Sequence, residues 1–120
     1  MNYRIMEEVK KPYSIEKLSQ YVGGDPKQID EMIVLFLDTV PPEIIQLSQL
    51  TKQEKWPEVY KLAHRIKPSF EVFAMDDILE DIKKIEHLAR ENNVEGSLSY
   101  YIQQLSNKFL GVTKLLKQEL

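Results

Sequence analysis

Along the chain, apolar residues recur at intervals of three and four, and turn-forming residues separate the runs at regular spacing. Ser14 is placed to cap a short helix reaching about Val22, which Gly23 and Gly24 end. Asp25 followed by Pro26 is a strong helix start, because the carboxylate accepts from free backbone N–H groups while proline fits the first turn. From there Ile29, Ile33, Phe36, Leu37 and Val40 form one stripe, and Ile44, Ile45, Leu47 and Leu50 continue it toward Gln53. Pro41 and Pro42 interrupt that run, which predicts either one long bent helix or two in series. Trp56 and Pro57 open the next helix, with Val59, Ala63, Ile66, Phe70 and Phe73 on its inner stripe. Asp76 and Asp77 favour a further start, followed by Ile78, Ile82, Ile85 and Ala89, and Asn92 with Asn93 closes it. The last helix runs from about Ser97 through Leu98, Ile102, Leu105, Phe109, Val112 and Leu116.

Four amphipathic helices on short connections predict an all-α, up-and-down antiparallel four-helix bundle, with the short N-terminal helix as a cap. Residues 1 to 12 read as a flexible arm and residues 13 to 120 as the bundle. A chain of 120 residues forms one core, and 42% apolar with 29% charged residues is ordinary for a folded globular domain.

The formal net charge of −3 provides no basic field for a phosphate backbone, so nucleic acid is not an expected partner. No run approaches the roughly 20 apolar residues of a membrane span, and MNYRIMEEVKK lacks a signal peptide's apolar stretch. The expected location is the cytoplasm, which the absence of cysteine fits. The four glycines form no phosphate-cradling loop, so ATP binding is not expected.

Two histidines remain as candidate chemistry. Counting ~100° per residue sets His64 about 140° from its helix's buried stripe, with Lys67, Pro68, Glu71 and Met75 around the same outer side. His87 is no closer to its own stripe, so exposure alone does not separate them. The local run Leu62-Ala63-His64-Arg65-Ile66-Lys67-Pro68-Ser69-Phe70 does. A lysine three residues after an exposed imidazole sets a cation over the same face, in reach of a phosphoryl group on the ring. Pro68 removes the donor that the His64 carbonyl would normally receive, which in a helix interior costs about 3 kcal/mol. Such a feature is more readily kept at a working site. His87 has no lysine at that offset and reads as a solvent-facing side chain. The residues three before the histidines are Lys61 and Lys84, so the Glu-x-x-His pairs of di-metal bundles are absent and no metal is expected.

The segment AHRIKPSFEVFAMDDILEDIKKIEHLARE resembles the histidine phosphotransfer (HPt) domain family, whose pattern is a His, a Lys three residues on, small residues, then a Gly or Ala turn before a Leu-rich helix. The likeness extends upstream through GGDPKQIDEMIVLFLDTVPPEIIQL and KWPEVYKLAHR, covering roughly residues 13 to 120. The family often has Gly where this chain has Pro68 and Ala74. The resemblance implies that His64 is the phosphorylated residue, Lys67 the phosphate-stabilising cation and Ser69 a small polar neighbour of the site.

It further implies a phosphoryl carrier rather than an enzyme, exchanging phosphate with receiver domains of response regulators or a hybrid sensor histidine kinase. Mg²⁺ and its acidic ligands then belong to the receiver, and this chain needs no cofactor. A monomer is expected, since a carrier presents one accessible histidine to successive partners. The expected docking surface around His64 takes in Val34, Leu35, Pro68, Glu71, Ala74 and Met75, with Val34, Leu35 and Met75 as outward apolar residues. The alternative is a non-catalytic helical adaptor.

Overall fold

The computed structural model describes residues 11 to 120, so most of the expected arm, residues 1 to 10, lies outside the described residues. Five helices make up the described chain: α1 Ile15–Val22, α2 Pro26–Lys52, α3 Trp56–Val72, α4 Asp76–Arg90 and α5 Leu98–Glu119. Each long helix packs against two others in a closed ring, α2 on α3 and α5, and α4 on α3 and α5. Helix α1 lies across α2 and α3, which is the expected four-helix bundle with its short N-terminal helix. Among the described residues no helix is long and apolar enough to cross a membrane.

The first helix starts are capped as the residue types require. Ser14 Oγ accepts from the Lys17 N–H at 2.9 Å, and Asp25 Oδ1 from the Lys27 N–H at 3.0 Å, with Pro26 in the first turn. Helix α2 is continuous through Pro41 and Pro42. The prolines leave two carbonyls of the preceding turn, on Leu37 and Asp38, without their usual donors. The buried stripe of Ile33, Phe36, Val40, Ile44 and Leu47 nonetheless runs straight past them, and its burial outweighs the two missing bonds. At the centre, Phe36 meets Phe70 edge-on at 5.5 Å and Phe73 at 5.0 Å, while Phe109 from α5 closes the cluster. Below it Tyr13 is buried and donates to Glu119 at 2.7 Å, tying the start of the described chain to the end of α5.

Met75 corrects one expectation: it is fully buried, with 0% exposure. The step of 100° per residue holds only inside a helix, and α3 ends at Val72. Beyond it Ala74 adopts a left-handed conformation, φ 53°, so that its N–H bonds to the Glu71 carbonyl and the Met75 N–H to the Phe70 carbonyl. This pair of hydrogen bonds reverses the chain and carries the Met75 side chain inward, into the buried core. Alanine is strained at positive φ where glycine is not. Ala74→Gly is therefore expected to stabilise the fold by about 0.5 to 1 kcal/mol, read as a higher urea midpoint. A lower midpoint would contradict that account of the turn.

Candidate functional site

The seam between α3 and α4 carries the polar cluster that the fold assembles around His64. Because the two helices run antiparallel, the face of α3 bearing Tyr60, His64 and Lys67 meets the face of α4 bearing Arg90 and Glu86. Glu86 is the pivot. Its side chain is only 8% exposed, yet both carboxylate oxygens are satisfied: Oε2 lies 2.5 Å from His64 Nδ1 and Oε1 accepts from Lys67 Nζ at 2.9 Å. Burial pushes the Glu86 carboxyl up, but the hydrogen bonds and charges of Lys67 and His64 outweigh it and hold the group below the usual carboxylate value.

An ionised Glu86 can only accept, so the proton between it and the ring belongs to Nδ1. In the neutral form of the ring the other nitrogen, Nε2, is then the one with a free lone pair. The His64 side chain is 62% exposed, so the ring's free side faces solvent, while Lys67 at 22% stands beside it. The arrangement sets a solvent-facing ring nitrogen opposite a buried carboxylate and beside an ammonium group, a geometry in which a neutral imidazole can act as a nucleophile.

A second layer lies one turn away. The Tyr60 ring is nearly parallel to the imidazole, and Arg90 donates to the Tyr60 hydroxyl at 3.0 Å. His87 is exposed on α4 and outside this cluster.

The remaining expected residues divide. Pro68 and Ser69 line a shallow groove between α2 and α3 with Leu35, Met32, Thr39 and Val72, so Ser69 belongs to the groove rather than to the polar cluster. Val34 and Leu35 are both exposed on α2, but only Leu35 borders that groove. Glu71 is exposed and Ala74 partly so, near the end of α3. Met75, being buried, offers nothing to a partner.

Sequence reading did not single out Glu86, Tyr60 or Arg90. For Glu86 a signal existed: it lies about 70° from the centre of the Ile78, Ile82, Ile85, Ala89 stripe, too close for a solvated acid. Asp81 flanks the same stripe on its other edge, is also buried, and is met by Lys108 of α5 at 3.0 Å. Tyr60 and Arg90 become visible as neighbours only once α3 and α4 are paired.

The sequence of residues 31 to 110, more than half of the chain, matches the model of the Hpt domain family. No curated protein and no solved structure matches the chain. A matching family model over a helical bundle of the kind such domains form gives one conclusion: the chain belongs to the Hpt domain family, the histidine phosphotransfer modules of phosphorelays.

Proposed function

We propose that His64 carries the phosphoryl group, taking it from the phosphoaspartate of a receiver domain and passing it to another receiver aspartate. The observation that supports this most is the division of labour on the ring, with Nδ1 held by Glu86 and the opposite nitrogen open to solvent. Attack by Nε2 on the phosphorus forms a P–N bond and breaks the P–O bond to the aspartate, which leaves as carboxylate. No proton has to move, because Nδ1 keeps its hydrogen. The ring becomes formally cationic as it is phosphorylated, and the Glu86 carboxylate behind it offsets that charge. Lys67 stands where it can pair with the phosphoryl oxygens.

This chain supplies a nucleophile, its electrostatic support and a docking face, and acts as a carrier rather than an enzyme. Mg²⁺ and the acidic residues that hold it belong to the receiver, and the chain works as a monomer in the cytoplasm. The groove beside Leu35, Pro68 and Ser69 flanks the histidine helix and is the apolar part of the receiver's footprint, with Val34, Glu71 and Ala74 at its edges.

Incubation with a panel of phosphorylated receivers is expected to label the chain, and His64→Gln to abolish the label while leaving the helical circular dichroism unchanged. Label persisting in that variant would overturn the assignment. Receiver binding without any transfer to the parent chain would favour the adaptor reading instead.

A further inference from the structure

The hydrogen bond to Glu86 fixes one edge of the imidazole, but a single bond leaves the plane of an exposed ring free to turn about it. A second contact removes that freedom. Tyr60 lies one turn before His64 on α3, its ring centroid 6.0 Å from that of the imidazole and the two planes only 17° apart. This is the offset-stacked arrangement of aromatic pairs.

Tyr60 is itself held in place. It is half-buried against the core edge, and from α4 Arg90 donates to its hydroxyl at 3.0 Å while the guanidinium carbon stands 5.1 Å from the ring centroid. The Tyr60 hydroxyl and a nearby Glu86 charge in turn favour the charged form of Arg90. Arg90 follows Glu86 by one helical turn, as Tyr60 precedes His64 by one. The helix pairing that sets Glu86 against His64 therefore also sets Arg90 on Tyr60.

We propose that Tyr60 is a positioning residue for His64: its Arg90-pinned ring holds the imidazole plane so that Nδ1 stays on Glu86 and Nε2 faces the incoming phosphorus. The inference rests on the phosphotransfer reading of His64. Transfer to nitrogen requires the lone pair to lie in line with the breaking bond, so a ring that swings spends much of its time misaligned. The stacking energy of an aromatic pair sets the expected loss at about three- to tenfold in rate.

The test uses the full chain with phosphoramidate as donor, whose P–N bond breaks as ammonia leaves and the bond to His64 forms. Tyr60→Leu removes the aromatic face but keeps apolar bulk; Tyr60→Phe keeps the face and loses the hydroxyl; Arg90→Gln, at an exposed position, loosens the pin. Two quantities are read: the rate of phosphohistidine formation, and the ¹⁵N shifts of the His64 ring, which a merely structural role would not move. Tyr60→Leu is expected to slow labelling about three- to tenfold and draw the ring nitrogens toward an averaged tautomer mixture. Tyr60→Phe should stay within about twofold of the parent, and Arg90→Gln should fall between the two.

Parent-like rates and ring shifts in Tyr60→Leu overturn the assignment. So does a Tyr60→Phe variant as slow as Tyr60→Leu, which would trace the effect to the hydroxyl rather than to the stack. Should Tyr60→Leu fail to fold, parent-like ring shifts in Arg90→Gln overturn it as well. A parent chain that takes no label overturns the carrier reading itself, whereas a labelled parent with an indifferent Tyr60→Leu overturns only the role of Tyr60.

Discussion

Replacing Glu86 by glutamine is expected to slow phosphoryl acceptance by about 10- to 100-fold, by analogy with the loss when a carboxylate that orients a metal-ligating histidine is removed. The amide is nearly the same shape, so the bundle should remain folded with unchanged circular dichroism. Two functions are lost together. The amide oxygen can still accept the Nδ1 proton, but it carries no charge to offset the cationic ring that forms as Nε2 is phosphorylated. An amide nitrogen can also turn toward the ring and favour the wrong tautomer. The rate of label uptake near neutral pH measures the effect, and a parent-like rate would show that Glu86 is only a structural tie between α3 and α4.

The same carboxylate contributes to acid sensitivity, with a definite sign. Its folded pKa lies below the ordinary value of 4.5, so its ionised form stabilises the fold fully above about that pH. That contribution is lost as the pH falls through the lowered folded value. The parent should therefore lose stability relative to Glu86→Gln on acidification across that window, in parallel urea titrations.

Met75→Ala is expected to lower stability by about 2 to 5 kcal/mol, since the side chain is fully enclosed and its removal leaves a cavity in the core. Equilibrium urea denaturation measures this directly. A surface methionine would move stability by less than about 0.5 kcal/mol, and such a small change would contradict the inward turn after α3.

Met75 also shows where sequence legibility ended. Helix starts at Ser14 and Asp25, the four apolar stripes and the exposure of His64 were all readable, because each follows from local chemistry and a single period. A residue two places beyond a helix end is directed by the turn, and an alanine in a left-handed conformation gives little warning of it. The continuity of α2 past Pro41 and Pro42 was likewise undecidable locally, since it depends on neighbours packed along both halves of the stripe. At the candidate site, His64 and Lys67 share a face of one helix, a neighbourhood their spacing makes legible. Glu86, which joins them, comes from another helix and reads in sequence as one more surface acid unless its angle to the stripe is measured.

The decisive question is which nitrogen of which histidine receives the phosphoryl group. Labelling the full chain from a phosphorylated receiver and locating the P–N bond by ³¹P and ¹⁵N NMR answers this. An acid-labile phosphoryl group on Nε2 of His64, with Nδ1 still protonated, is the predicted result. Phosphate on Nδ1, on His87 or on no histidine at all would contradict it.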